Sequence, residues 1–448
     1  MKTNDPESGS TPYLLLVSFV ATVGGLLFGF DTAVIAGAQP FFRSYFTMSE
    51  GVLGFAVAAA ILGCIPGTIF AGFGSDNFGR RGTLRLCAVL FAVSAVWTAL
   101  ATSIPGFVVA RFIGGLGVGA ASLLSPMYIA EISPPRLRGR LVSLNQLAIV
   151  IGILIAYFSD YFLIDFPDNW RWMFGVETLP AIFFFFLLII VPESPRWLTK
   201  QGRDDEALAV LERVNGSTVA RKELAEIRSA IAEESDSLKV LLQPGLRVAL
   251  GIGIFLAVFQ QITGINVVIY YAPMIFEKAG AAVDTSLLQS VAVGSMNLVA
   301  TLLAIILIDK LGRKILLLIG SAGMAIFLVL LAVAFRGAVQ NHWLVLLFTL
   351  GYVGSFAASL GPVVWVVISE IFPTRIRGRA MGIATVSLWI ACALIAQIFP
   401  IMLKYLDSAL TFGIFALMCV INFAFVLRYV PETKGRSLEE IERSWSVS

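Results

Sequence analysis

The chain has 448 residues and a formal net charge of +3, with 58% hydrophobic and only 14% charged residues. Soluble domains carry about 25% charged residues, so this composition excludes an ordinary water-soluble domain. The excess apolar surface needs lipid around it, and we therefore expect an all-α membrane protein.

Apolar runs of membrane-spanning length recur along the whole sequence. A spanning helix needs about 20 residues, and lipid accommodates only helices or closed barrels, because backbone polar groups must be paired internally. These runs are too long and too continuous for strands. We predict twelve transmembrane helices at about 13–37, 51–73, 86–104, 107–131, 141–163, 172–191, 247–275, 287–308, 315–335, 343–369, 380–403 and 409–428.

The first predicted span contains a carboxylate, Asp31. An ionisable group within the bilayer is costly and is a functional candidate by default. Arg111 in the fourth span is its predicted partner at similar depth, and Glu177 at the outer start of the sixth span is expected to join them. A carboxylate whose counter-charge moves with conformation can bind a proton in one state and release it in another. These three residues are therefore predicted to couple a proton; the alternative is a buried structural ion pair.

The loops between spans alternate in charge. Lys and Arg collect in the loops after the second, fourth, sixth, eighth and tenth spans and after the twelfth, whereas the other loops hold only Arg43, Arg171, Lys278, Arg336 and Lys404. Cytoplasmic loops carry the basic excess. We predict a multi-pass protein of the plasma membrane, a bacterial inner membrane, with both termini in the cytoplasm.

Three motifs occur twice in the same order. Residues 76–81, 131–140 and 191–194 recur at 309–314, 370–379 and 430–433, with offsets of 233, 239 and 239 residues. Parallel six-helix repeats with a site between the halves are a recognised transporter architecture. We predict a first six-helix half at 1–195, a linker at 196–245, a second six-helix half at 246–430 and a cytoplasmic tail at 431–448.

The predicted linker is polar. Apolar residues recur at helical spacing in 204–214 and 217–232, which predicts two short amphipathic helices on the cytoplasmic face. The alternative is a flexible linker.

The repeated motifs also place acids and bases at matched helix ends. Arg138 or Arg140 is expected to reach Glu193, and in the second half Arg377 or Arg379 is expected to reach Glu432. Such pairs would latch the halves together on the cytoplasmic side while the outside is open. The alternative is that they are topology anchors, but anchoring alone needs no acid. The predicted latch residues are Asp76, Arg80, Arg81, Glu131, Arg138, Arg140, Glu193, Asp309, Arg313, Glu370, Arg377, Arg379 and Glu432.

These paired loops, the segments 192–197 and 431–436, and Gln260-Gln-Ile-Thr-Gly-Ile-Asn266 together resemble the sugar porter family of the major facilitator superfamily, and within it the bacterial proton-coupled, xylose-type symporters. The resemblance covers residues 24–436. It implies a major facilitator fold with twelve transmembrane helices in two halves and sugar–proton symport by alternating access. An Asp at position 31 accompanies proton coupling in that family. A passive uniporter of the same fold and a membrane sugar sensor are the alternatives.

The resemblance also implies the sugar site. Amides donate and accept hydrogen bonds without a charge, and aromatic rings cover an apolar sugar face; the alternative is that the amides only bridge helices. Ile153, Leu388 and Cys392 stand where several related symporters have amides, which suggests a smaller, pentose-like or deoxy sugar, or weaker binding. The predicted binding residues are Phe28, Gln146, Gln260, Gln261, Asn266, Asn297, Trp365 and Trp389. The predicted gating residues are Tyr270, Tyr271, Gly361 and Pro362.

No nucleophile–base set, metal-ligand cluster or phosphate-binding loop stands out in the sequence. We expect no enzymatic activity, no cofactor, no metal and no nucleic-acid partner. The expected partners are a sugar, protons and membrane lipid, and the protein is expected to be a monomer. Export of drugs or organic ions fits poorly with the amide set and with Asp31 as the single membrane carboxylate.

Overall fold

The structure is a computed structural model that describes residues 10–232, 241, 243, 246–337, 341–372 and 376–434, without the side chains of Pro135, Asp309 and Arg377. The predicted latch contacts of Asp309 and Arg377, and the predicted tail beyond residue 434, lie outside this description. Within it the chain forms seventeen helices. They are α1 Thr11–Tyr45, α2 Glu50–Leu100, α3 Ile104–Ile132, α4 Pro135–Leu163, α5 Asn169–Gly175, α6 Thr178–Ile190, α7 Pro195–Lys200, α8 Asp204–Asn215, α9 Ser217–Ala232, α10 Leu246–Ile262, α11 Ile265–Lys278, α12 Val283–Leu311, α13 Arg313–Arg336, α14 His342–Ala357, α15 Leu360–Glu370, α16 Arg377–Tyr405 and α17 Asp407–Tyr429.

Helix α2 contains two membrane crossings. Its 51 residues would be about 75 Å long at 1.5 Å per residue, more than twice the roughly 30 Å of hydrocarbon that a span must cross. At Gly79 the backbone has φ 79°, a conformation that glycine adopts readily, and the chain turns back there. Eleven apolar helical segments of spanning length occur in the described chain, α2 counting once. The prediction of twelve transmembrane helices is therefore confirmed.

The chain packs as two helical bundles. The first, α1–α6, is held together by α2 against α3 and by α1 against α4, and the second, α10–α17, by α13 against α14 and α17. The first crossing of α2 contacts α16, and α4 contacts α12. Under the sequence repeat these two contacts are equivalent, as expected for parallel repeats related by an axis along the membrane normal. We call the side that holds the repeated Arg and Glu motifs the basic side.

The two predicted linker helices are present as α8 and α9. Leu198, Leu211 and Leu224 form a small separate apolar cluster with Ala207 and Ala220, so the amphipathic faces found in the sequence pack against each other and against α7. This cluster lies beside the first bundle, because the guanidinium of Arg213 lies 3.7 Å from the ring centre of Tyr13.

The two bundles are joined on the side opposite the basic side. Tyr157 on α4 donates a hydrogen bond of 2.8 Å to the carbonyl of Ile269 on α11. Gln397 on α16 donates one of 3.0 Å to the carbonyl of Gly51 at the start of α2. These contacts close the central region toward that side.

Glycines let α2 and α3 approach closely. A Cβ atom added at Gly115 would lie 1.8 Å from the carbonyl oxygen of Ala60, and one added at Gly119 would lie 2.2 Å from that of Cys64. Small residues four apart allow helix backbones to approach in a membrane, where packing rather than the hydrophobic effect drives association. The first bundle therefore depends on these two positions.

Gly115→Ala should destabilise the protein, because the helices must separate to accommodate the new methyl group. Overpacking of this kind costs about 1–3 kcal/mol, and we expect a lower midpoint of thermal unfolding in detergent. Gly72→Ala is the matched control, since a Cβ at Gly72 meets nothing within 4 Å and alanine favours a helix. Equal midpoints for the two variants would contradict this packing account.

Candidate functional site

A buried ion pair lies in the first bundle. Arg111 Nη1 on α3 is 2.5 Å from Oδ1 of Asp31 on α1, and Nη2 donates to the backbone carbonyl of Asp31 at 3.0 Å. Both side chains are 2% exposed, so water screens the pair little. The sequence-based expectation that these two residues meet at similar depth is confirmed.

Glu177 lies beside this pair, where α5 ends and α6 begins. Its side chain is buried, and its carboxyl group lies within hydrogen-bonding reach of the carboxyl group of Asp31 and close enough to Arg111 to interact with its charge. One cation therefore faces two carboxyl groups. Two carboxylates sharing one site cannot both ionise easily, so the cluster has the composition needed to hold a proton.

In the second bundle, the seventh crossing is broken into α10 and α11. Gly264 has φ 95°, and the amides around the break form a chain of hydrogen bonds. Gln261 Nε2 donates to Gln260 Oε1 at 3.3 Å, and Asn266 Nδ2 donates to Gln261 Oε1 at 2.6 Å and to Cys392 Sγ at 3.3 Å. Discontinuous helices form the substrate sites of many transporters, and this break presents uncharged donors and acceptors at such a point.

Gln260 also joins this break to a second one. The tenth crossing is divided into α14 and α15 at Ser359, where φ is −140° and ψ is −91°. Gln260 Nε2 donates to the carbonyls of Leu360 and Gly361 at 2.8 and 3.2 Å. In this conformation Gln260 therefore bridges helices, which is the alternative that the sequence left open.

The predicted gating residues Gly361 and Pro362 lie just inside α15 rather than at the break itself. Proline is tolerated in the first turn of a helix, where its missing N–H would have no partner. The irregular backbone is therefore at Ser359, and Pro362 stabilises the start of α15.

The ion pair and the second bundle face the same small cavity. Its walls include Asp31 and Arg111 from the first bundle and Tyr270 and Trp389 from the second. Phe28 contacts Trp389 edge-on with ring centres 5.7 Å apart. Trp389 Nε1 is buried without a hydrogen-bond partner among the described residues, so it is a free donor beside the cavity.

The remaining predicted site residues do not line the small cavity in this conformation, and neither do the amides around the break at Gly264. Gln146 and Trp365 are half-buried and Asn297 is buried, and the small cavity does not include them. The hydroxyl of Tyr271 donates a hydrogen bond of 2.9 Å to the carbonyl of Ala396 within the second bundle. Their roles in binding and gating stay predictions.

On the basic side, the first copy of the motifs forms one cluster. Arg80 binds Glu131 through Nε and Nη2, both at 2.8 Å, and Ser194 donates to the same carboxylate. Glu193 accepts the backbone N–H groups of Arg80 and Arg81 at 2.9 and 3.1 Å. The cluster ties the turn at Gly79 to the ends of α3 and α6. Asp76 extends it, since its side chain lies 3.7 Å from Arg80.

The second copy repeats this geometry in the other bundle. Arg313 Nη2 donates a hydrogen bond of 2.9 Å to Glu370, and the hydroxyl of Thr433 donates one of 2.5 Å to the same carboxylate. Glu432 accepts the backbone N–H groups of Arg313 and Lys314 at 3.0 and 3.1 Å. Each cluster therefore joins helices within one bundle.

The partners of the two glutamates differ from the expectation. Arg138 lies 4.0 Å from Glu223 of α9 instead of reaching Glu193, and Arg140 is exposed. Glu193 and Glu432 bind backbone N–H groups instead, because a tight turn presents several donors that converge on one carboxylate. Glu432 also accepts the N–H of Lys434, at 2.9 Å. A latch between the bundles stays a prediction for another conformation.

Acid should remove the contribution of Glu432 to stability. Partial burial raises its pKa, but the backbone donors outweigh this and hold the pKa below its ordinary value. The stabilisation is complete above the ordinary pKa of a glutamate and is lost as the pH falls through the lowered folded value. Glu432→Gln should lower the unfolding midpoint at pH 7 and change it much less at about pH 3. Exposed Glu226→Gln is the control, and a pH-independent effect of Glu432→Gln would contradict the assignment.

Besides Asp31 and Glu177, a third carboxyl group is buried within the spans, and it was not among the predicted site residues. Asp160 lies on α4 within the predicted span 141–163 and is 0% exposed, so the statement that Asp31 is the single membrane carboxylate is wrong. The signal was present, since any aspartate within a span is a functional candidate.

Comparisons with known proteins identify the family of this chain. The model described as "Sugar (and other) transporter" matches residues 17–445. The chain is 43% identical to the arabinose-proton symporter of Bacillus subtilis, covering 98% of this chain and 96% of that protein. It is 42% identical to the D-xylose-proton symporter of Escherichia coli, covering 97% and 96%.

Solved structures of sugar transporters have the same fold as this chain. The xylose transporter XylE from Escherichia coli in a partially occluded inward open conformation is 41% identical, with a TM-score of 0.86 over 95% of this chain and 100% of that chain. Its inward open conformation gives 0.85 over 96% and 100%. The chain belongs to the sugar transporter family and has the major facilitator fold. It is a transporter rather than an enzyme.

Proposed function

We propose that this protein is a symporter that carries one monosaccharide together with a proton by alternating access between its two bundles. The observation that supports this most directly is the shared cavity, with Asp31 and Arg111 on one wall and Tyr270 and Trp389 on the other. A sugar stacked on the aromatic wall contacts the same space as the ion pair. Binding of the sugar and protonation of Asp31 can then favour the same conformation, which is the requirement for coupling.

A pentose is the proposed substrate. The relatives described above are named for arabinose and xylose. Cys392, which replaces an amide of related symporters, contacts Asn266 at 3.3 Å and the hydroxyl of Tyr270 at 3.6 Å. The neighbouring Leu388 is buried. The surroundings of Asn266 and Tyr270 are therefore less polar than they would be with amides at these two positions, and a sugar with fewer hydroxyl groups leaves fewer of them unpaired.

The protein is proposed to act as a monomer in a bacterial inner membrane with the basic side and both termini in the cytoplasm. The positive-inside rule supports this orientation. In it, the hydrogen bonds of Tyr157 and Gln397 close the extracellular side.

Counterflow into proteoliposomes tests the substrate assignment. Vesicles loaded with unlabelled sugar should take up labelled xylose or arabinose rapidly, glucose less well and a disaccharide not at all. A membrane without the protein is the control for leakage. Absence of exchange for every monosaccharide, with the protein folded, would contradict the proposal.

A further inference from the structure

Asp160 occupies an unusual position in the extracellular closure. It lies one turn beyond Tyr157 on α4, the residue whose hydroxyl reaches across to Ile269 of the other bundle. Its Oδ2 accepts the N–H of Gly37 on α1 at 3.2 Å. Only glycine fits opposite, because a Cβ at Gly37 would lie 2.3 Å from that oxygen. The carboxyl group is therefore pressed between α1 and α4 at the level where the two bundles meet.

Asp160 has no paired cation in the part of the chain that the structure describes. Its side chain is 0% exposed, Oδ1 has no hydrogen-bond partner, and no ion pair includes it among the described residues. The hydroxyl of Tyr157 is the ionisable group that acts on it. The basic groups on the neighbouring helices are engaged elsewhere or exposed: Arg111 binds Asp31, Arg43 binds Glu50, Arg171 donates to the carbonyls of Ala99 and Ala101, and Lys278 is exposed. Of the acids, Glu177 lies beside Asp31 and Arg111, Ser286 donates to Glu277, and Asp165, Asp168 and Asp284 are exposed.

This environment accommodates the neutral acid and not the carboxylate. Removing an ionised carboxylate from water without a paired cation costs several kcal/mol, whereas a protonated carboxyl group keeps an acceptor oxygen for Gly37 and carries its proton on the other oxygen. Asp31 differs in this respect because Arg111 compensates its charge. The two aspartates therefore have opposite electrostatic environments. They are near each other, because Gly37, which donates to Asp160, is six residues, or about 9 Å, along α1 from Asp31.

We propose that Asp160 is a second proton-binding residue, protonated while the extracellular side is closed and ionised when that side opens. Opening must separate Tyr157 from Ile269 and admit water to this part of α4, and water stabilises the carboxylate. The closed state then holds one more proton than the open state. By linkage, acid favours closure, with the ratio of the two states changing by up to about tenfold per pH unit. This inference concerns the conformational equilibrium and does not require that the transported solute be a sugar.

Distances across the extracellular side test the proposal without transport. Spin labels at Thr47→Cys and Ala282→Cys, both exposed and one in each half, report opening in nanodiscs, and the native cysteines are buried. An Asp31→Asn, Glu177→Gln background removes the two other buried carboxyl groups from the measurement. In it, the open fraction should rise from about pH 5 to about pH 9, and Asp160→Asn should flatten this response. Asp284→Asn, an exposed extracellular carboxylate, should leave it unchanged.

If Asp160→Asn left the pH dependence of the open fraction unaltered, the proposal would be overturned. The same conclusion would follow if Asp284→Asn removed that pH dependence equally. A second readout needs no substitution at Asp160. In Asp31→Asn, Glu177→Gln protein, the closed state at neutral pH should retain the infrared carbonyl band of a protonated carboxylic acid, which ionisation on opening removes. A closed state without this band would equally overturn the assignment.

Discussion

Asp31→Asn should abolish sugar accumulation driven by a proton gradient while sugar exchange continues. The substitution keeps the shape of the side chain and leaves Arg111 an oxygen to bind, but it removes the group that gains and loses a proton. A gradient of one pH unit, about 1.4 kcal/mol, can sustain roughly tenfold accumulation for each coupled proton. The variant should reach only the external concentration, measured as uptake of labelled sugar into proteoliposomes.

Counterflow by the same preparation is the internal control for folding. The variant should exchange sugar at a rate close to that of the wild type, since exchange requires no net proton movement. Gradient-driven accumulation that survives Asp31→Asn would assign proton coupling to another group and leave the ion pair with Arg111 as a structural contact.

Asn266→Ala should weaken sugar binding about ten- to a hundredfold. Its amide donates to Gln261 and to Cys392, so the substitution removes a donor at the helix break and leaves Gln261 Oε1 without that partner. A sugar hydroxyl left without its partner costs about 1–3 kcal/mol. The affinity for the sugar should fall in a binding measurement such as quenching of tryptophan fluorescence, and the thermal midpoint should fall less than it does in Gln260→Ala.

Asn77→Ala is the matched control for this prediction, because its amide is exposed and donates to the carbonyl of Phe73 in its own helix. Gln260→Ala provides a contrast. It should lower the thermal midpoint as well as the affinity, since Gln260 bridges to the carbonyls that begin α15. Unchanged affinity in both Gln260→Ala and Asn266→Ala would remove the sugar site from this helix break.

The sequence predicts the features that depend on composition and periodicity. The twelve crossings follow from apolar length, and the two linker helices follow from apolar spacing. The meeting of Asp31 with Arg111 could be anticipated, because a charge buried in lipid requires a partner at the same depth and the two spans set that depth.

Other features depend on which of several partners is nearest, and periodicity does not contain that information. Glu193 has several arginines within reach in the sequence, but the turn at Gly79 directs two backbone N–H groups at it. The break at Ser359 depends on how Gln260 satisfies the carbonyls of the next segment. Asp160 is visible in the sequence, yet its isolation from cations is evident only after α1 and α4 are packed together.

The central claim is that sugar and proton move together through the cavity beside Asp31. The most direct test encloses a pH-sensitive dye in proteoliposomes without an imposed gradient and adds a pentose outside. Our account predicts that the vesicle interior becomes acidic in step with sugar uptake, and that Asp31→Asn takes up sugar with no change in internal pH. Wild-type uptake at the same rate with a constant internal pH would contradict it.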